Sequence, residues 1–415
     1  ESWGSLVLGS SGTGILIARA ASVTIAGSVS ISSAASYITS TAAGAWIVSS
    51  AWTDLSTSAS WSFAAGITFN SSASQTMTFG NLAQEFGGNV TFSSGSSTVT
   101  LTMSTNALRW AGTLTVQGGT GTTTLATANL GLTGGALAIG NAGVLTANAS
   151  TVSVSSLAIT GGTSGTLTLT TGAWTVSGNW DTSGAGSIFA AGTSTVTMSG
   201  AATTVRILNL SNDFNNLTIT GTVSLASAIG TAGLLTVTGT LDTTASNFGL
   251  TVGGGLTVNG ATGILRTNGS AVAETGNVSI NNAAGYITSA AGGSWSVTGS
   301  WTNSSTSASW SFAAPVTFTS AANATMTFGN LAQEFGGSVT FSSSSATPVT
   351  FTMSTNALRW GGTLSIADGV STTELATGGL GLAGGALSVG NGGILTANAS
   401  TVTVSSATMT GGTTG

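Results

Sequence analysis

Thirteen consecutive residues, Thr76–Gly88, recur unchanged at Thr325–Gly337, an offset of 249. Thr102–Trp110 recurs as Thr352–Trp360 and Leu145–Val152 as Leu395–Val402, now at 250, with the extra residue near Pro348. At the start, Gly14-Ile15-Leu16 matches Gly263-Ile264-Leu265. Residues 1–165 therefore return as 250–415. Residues 166–249 between them form a related half-repeat: the spacing of Trp46 and Trp52 is repeated by Trp174 and Trp180, and again by Trp295 and Trp301. A repeat of this kind constrains the fold more than any single motif, because one structural unit must be built again along the chain.

The finer period is that of a β-strand. In Thr98–Ser104 every second residue is apolar, placing Val99, Leu101 and Met103 on one face. Thr195–Ser199 and Thr166–Thr170 alternate in the same way, and β-branched Thr suits the outward face of a pleated strand. Gly-Gly, Asn-Gly and Thr-Gly punctuate these runs as turns. No segment shows a helical period with caps, so the chain is expected to be all-β.

Two architectures fit an all-β repeat of short strands. One is a row of tandem β-sandwich domains. The other is a parallel β-solenoid, in which short strands coil and each rung hydrogen-bonds to the next. Two prolines in the whole chain, and short strands with tight glycine turns, leave little room for Greek-key crossovers, which favours one continuous solenoid. The interval from Glu85-Phe86 to Arg109-Trp110 returns, one residue longer, between Glu334-Phe335 and Arg359-Trp360. A coil of about that length would stack Phe86 on Trp110, and would set Glu85 against Arg109 and Glu334 against Arg359 as ion pairs between rungs.

The composition removes most chemistry. The chain has five Arg, no Lys, no His and no Cys, ten Asp plus Glu, and a net charge of −5. Without Lys or His there is no Walker-type phosphate loop, Schiff base, Ser–His–Asp triad or histidine-ligated metal. Without Cys there are no disulfides, thiolate zinc sites or cysteine nucleophiles. Five scattered arginines cannot neutralise a run of phosphates, so nucleic acid is not expected as a partner. No apolar stretch is long enough to span a bilayer, so no transmembrane helix is expected.

The remaining candidates are few. The recurring tryptophans Trp46, Trp52, Trp174, Trp180, Trp295 and Trp301 could bind sugar if exposed, but their place beside Gly-rich turns reads as a core or corner position. Asp181, Asp213 and Asp242 could form an acid cluster of a polysaccharide enzyme, yet each sits in Gly/Asn/Ser/Thr surroundings where Asp stabilises a turn. The Gly-Gly-x-Gly-x-Asp calcium repeat is missing. Rows of Thr on a flat face could bind ice, but the Thr spacing along the chain is irregular. Asn-X-Ser/Thr sequons, such as those at Asn70, Asn148 and Asn209, are what so much Asn, Ser and Thr would produce by chance. No catalytic, cofactor-binding or metal-binding residue is assigned, and no enzyme is expected.

Gly249–Gly260, with its Leu-Thr-Val-Gly-Gly-Gly-Leu-Thr-Val-Asn-Gly run, resembles the strand repeats of filamentous-haemagglutinin-type and autotransporter-passenger-type surface proteins. So does the Gly/Ser/Thr/Ala/Asn texture of the whole chain. The resemblance implies a right-handed parallel β-solenoid, export, and a role at the cell surface as stalk, filament or adhesin; the near absence of charge departs from that class. The chain starts at Glu1 rather than Met, and Gly411–Gly415 stops inside its own repeat, so the polypeptide is expected to continue. Self-association end to end or laterally is the expected partnership, with surface glycans as a further partner. An ice-binding Thr array and a polysaccharide-binding or -cleaving β-helix are the rival readings.

Overall fold

The computed structural model describes residues 1–19, 22–160, 164–207, 214–367 and 369–410. They contain no helix, and every strand pairing among them is parallel. The strands stack as a parallel β-solenoid of about 18 turns in all. Parallel pairing excludes the sandwich alternative, whose sheets are antiparallel. The chain divides into two compact units, Glu1–Asn215 and Asn216–Gly415, and the division falls inside the intervening stretch 166–249.

In the first unit one inward column runs Val23, Trp46, Ile67, Val90, Leu114, Leu137, Leu157, Trp180 and Val205, each the register partner of the next. None of the nine is more than 2% exposed. A second wall supplies Leu101, Leu125, Leu145, Leu167 and Phe189. The alternation read from the sequence places these residues: along a strand every second side chain points inward, as Val99, Leu101 and Met103 do in Val99–Ser104. Each large side chain buried this way contributes roughly 1.5–3 kcal/mol. Like side chains also meet across turns, with Phe69 stacked on Phe92 at 5.1 Å and 15°.

The second unit repeats the scheme. One column runs Leu217, Leu235, Leu256, Val278, Trp301, Met326 and Met353, and another runs Ile229, Leu250, Val272, Trp295, Val316, Val339, Leu364 and Leu387. Some buried hydroxyls are paired in the same way in both units: Thr127 Oγ1 donates to the Ala147 carbonyl at 2.7 Å, and its repeat Thr377 does so to Ala397 at 2.8 Å.

Between some turns the stacking requires glycine. Gly134 is the register partner of Trp110, and a Cβ there would lie 2.3 Å from the Trp110 carbonyl oxygen and 2.5 Å from its indole. Gly384 stands in the same relation to Trp360, at 2.4 and 2.5 Å. The strand kinks just beyond, with a bulge between Trp110 and Thr113. Gly134→Ala is therefore expected to cost about 1–3 kcal/mol by overpacking. Gly95→Ala, where nothing lies within 4 Å of the added methyl, should leave stability unchanged. Urea unfolding of both variants checks this; equal midpoints would contradict the packing described.

Candidate functional site

The three longest stretches shared by the two copies converge on one place in each unit. In the first unit they are Ser56–Ala65, Thr76–Gly88 and Thr102–Trp110; in the second, Ser305–Ala314, Thr325–Gly337 and Thr352–Trp360. Phe86 forms a parallel bridge with Trp110, and Phe335 with Trp360. The Glu85 and Phe86 amides both donate to the Arg109 carbonyl, at 3.0 and 3.1 Å. The rung inferred from the duplicated spacing is thus present.

The expected ion pairs are not. Glu85 is 1% exposed and faces inward. Its Oε1 accepts from Trp52 Nε1 at 3.1 Å and its Oε2 from the Gly80 amide at 3.0 Å. Arg109, between inward Leu108 and Trp110, points outward and donates to the Leu82 carbonyl at 3.0 Å. Glu334 and Arg359 repeat this separation: Glu334 accepts from Trp301 Nε1 at 2.9 Å and from the Gly329 amide at 3.0 Å, and Arg359 donates to Leu331 O at 2.9 Å. The alternation rule fails because Glu85 and Phe86 are both buried neighbours, which a bridge segment allows and a strand does not. Stacked ion pairs do occur one rung apart elsewhere, Arg206–Asp181 and Arg266–Asp242, each at 3.9 Å and solvent-accessible.

An aromatic box surrounds the buried carboxyl. Trp52 lies 5.5 Å from Phe86 and 5.8 Å from Phe69, and Phe63 lies 5.3 Å from Phe86. Trp61, half-buried on the loop above, donates its Nε1 to the Glu85 carbonyl at 2.7 Å. Next to it the backbone is strained: Thr105 has φ 79°, and Thr355 φ 82°. A β-branched residue in this region costs about 1–3 kcal/mol. The turn aims Asn106 Nδ2 at the Phe79 carbonyl, 2.9 Å away, and Asn356 at Phe328, 2.8 Å.

The copies differ at the group facing the glutamate. Beside Glu85 stands Asp54, fully buried, with Oδ1 accepting from the Ser56 amide at 2.7 Å and Oδ2 left without a donor. Beside Glu334 stands Asn303, whose Nδ2 donates to Glu334 Oε1 at 2.8 Å. Burial pushes Asp54 up to about 6. Burial, then the Asp54 charge, holds Glu85 well above the usual carboxylate range. A proton on Glu85 would supply the donor that Asp54 Oδ2 lacks. Burial raises Glu334 to about 7 against the hydrogen bonds from Asn303, Trp301 and Gly329, and raises Glu274 to about 7 against the Gly276 amide. Glu274 stands between Val252 and Val297 in its column.

The other candidates separate clearly. Trp46, Trp52, Trp174, Trp180, Trp295 and Trp301 are all no more than 2% exposed, so they are core residues. Asp181 Oδ1 accepts from the Ser183 amide at 2.9 Å and Asp242 Oδ1 from the Thr244 amide at 2.7 Å, the turn role expected of them. Asp213 and Asn209 lie outside the described residues, as do Gly411–Gly415. Among the described residues no three His, Cys, Asp or Glu side chains converge, and no helix is long and apolar enough to cross a membrane. The sequence reading passed over Asp54, Trp61 and Trp310; the signal for the two tryptophans was the unchanged Ser-Thr-Ser-Ala-Ser-Trp-Ser-Phe-Ala-Ala of both copies, whereas Asp54 lies just before that stretch and is replaced by Asn303 in the second copy.

The Thr rows are more regular in space than along the chain. Thr218, Thr236, Thr257, Ser279, Thr302, Thr327 and Ser354 form one unbroken outward column in the second unit. The sequence interval between neighbours lengthens at every step, from Thr218–Thr236 to Thr327–Ser354. Corner loops absorb the difference. In the first unit the row Thr68, Thr91, Thr115 is bounded by Ile47 and Ala138.

No family model, curated protein or solved structure matches this chain.

The buried acids set a pH dependence whose sign follows from their raised values. The folded state holds protons that the unfolded chain releases near 4.5, so stability is greatest below that pH and falls as pH rises through about 7. For Glu334 the loss is of the order of 3 kcal/mol. Asp54→Asn copies the arrangement of the second unit and removes one of two buried carboxyls. It should raise the unfolding midpoint at pH 8, by an amount worth about 1–3 kcal/mol, and change it little at pH 3.5, below the unfolded carboxyl's value. Denaturant unfolding at the two pH values checks both the slope and the variant.

Proposed function

We propose that this chain is a structural segment of an extracellular or cell-surface β-solenoid fibre, working as stalk, filament or adhesin scaffold without catalysis. The observation that carries this reading is the turn-on-turn register, held by nine successive inward residues in the first unit and eight in the second. A repeat coil of this sort is quasi-one-dimensional, each turn resting on its neighbours, which suits an extended scaffold. With a net charge of only −5, fibres lying side by side repel little. The Gly/Ser/Thr/Asn texture shared with exported surface solenoids supports the location. Fibre diffraction from native material should show a meridional spacing near 4.8 Å and an axial repeat of roughly 50–60 Å. Discrete monomers under native conditions, or strands running along the fibre axis, would sink the reading.

The seven-residue hydroxyl column favours a second reading, a face that orders water and binds ice. Its hydroxyls repeat at about 4.8 Å, close to a repeat of the hexagonal ice lattice, and the Thr members have restricted χ1. Thermal hysteresis and ice-crystal shaping by the full chain test it. The expected loss of both on replacing Thr236, Thr257 and Thr302 with Val, with the fold retained, would support it; no hysteresis in the parent chain excludes it.

A further inference from the structure

Above the Glu334 node a half-open groove of about 310 Å³ is cut into the second unit. Two loops wall it, one carrying Thr306, Ser307 and Trp310, the other Asn330 and Gln333. Trp310 is half-buried and its ring is fixed: Nε1 donates to the Glu334 carbonyl at 2.8 Å, and the indole stacks on Phe312 at 6.2 Å and 19°. Thr306, Asn330 and Gln333 are exposed, and no charged side chain lines the groove.

Three observations say what such a groove fits. A rigid indole offers an electron-rich face to the polarised C–H groups of a pyranose ring. Amides and hydroxyls at the rim offer both donors and acceptors, matching sugar hydroxyls. The absence of lining charge leaves nothing to neutralise a sulfate or a carboxylate. The surface itself is also unusual within this chain. Exposed loops normally drift faster than the strands they connect. Here Ser56–Ala65 and Ser305–Ala314 are identical, as are Asn81-Leu82-Ala83-Gln84 and Asn330-Leu331-Ala332-Gln333, whereas the corner Gly95-Ser96-Ser97 has become Ser344-Ser345-Ala346-Thr347. The inward part of each shared stretch is accounted for by the carboxyl node; its solvent-facing side chains are not.

The geometry points to this groove, and to the identical loops carrying Trp61, Asn81 and Gln84 in the first unit, as binding sites for neutral oligosaccharide, one sugar ring lying on the tryptophan. The site stands independently of fibre formation. The two copies are not identical. A Cβ at Gly361 would lie 2.9 Å from Gln333 Nε2, so the amide occupies that space. Ala111 fills it in the first unit, where Gln84 Nε2 turns to the Phe86 carbonyl at 3.3 Å.

The test is calorimetric titration of the full chain with soluble hexasaccharides of glucose, N-acetylglucosamine, xylose and mannose, with a sulfated and a uronic-acid oligosaccharide alongside. At least one neutral series should bind. The variant N81A/Q84A/N330A/Q333A should weaken it about tenfold or more, the effect of removing rim hydrogen bonds worth about 1.4 kcal/mol together. Because these side chains are exposed, the unfolding midpoint should not move. Hydrogen exchange gives a readout that needs no variant: saturating hexasaccharide should protect 57–62 with 80–85, or 306–311 with 329–334. Failure of every neutral sugar to bind overturns the assignment, as do binding of the charged oligosaccharides alone, undiminished binding by the variant, and protection confined to other segments.

Discussion

The parallel hydrogen-bond ladder between successive turns governs everything else in this protein. It demands that each turn present its residues at the same heights and angles as the last, and it is indifferent to how many residues connect them. Inward columns of Val, Leu, Ile, Trp and Phe follow from that demand, because any residue facing the axis is covered above and below by its register partners. Glycine appears where two turns would otherwise collide, as at Gly134 beneath Trp110. Hydrophobic burial supplies the free energy, and the ladder decides where it can be collected.

Much of this was legible in the sequence because strand alternation has a period of two that survives changes in loop length. Val99, Leu101 and Met103 could be placed on one face from the sequence alone, and they are buried together. The stack of Phe86 on Trp110 was legible for a different reason: a duplicated spacing marks a rung. What could not be read was the direction of side chains in the bridge segments. Glu85 and Phe86 abandon alternation, so the glutamate turned inward to Trp52 and Gly80 while Arg109 stayed outside. The Thr column was hidden for a geometric reason, since intervals that lengthen at each turn from Thr218 to Ser354 have no period on paper and a constant one in space.

The duplicated node shows how a nearly uncharged chain uses its few acids. Asp181 and Asp242 stay at the surface as turn formers. Asp54, Glu85, Glu274 and Glu334 go inside, where burial favours the protonated form and hydrogen bonds from indoles and backbone amides hold the oxygens in place. In such surroundings a carboxyl acts as a polar strut: it ties a loop to an aromatic box without needing a cation. Asp54 and Asn303 are two chemical solutions to the same geometry within one molecule.

The single methyl that separates Ala111 from Gly361 has a consequence of its own. Where it occupies or vacates one small volume, the neighbouring glutamine amide is placed differently, although the glutamine itself and the residues on either side of it are the same in both copies. A chain that repeats itself can therefore diversify its surface from the layer beneath, leaving the exposed residues untouched. Two pairs of loops spelled by the same letters then present different surfaces, and a string of such repeats gives a graded series of surfaces rather than many copies of one.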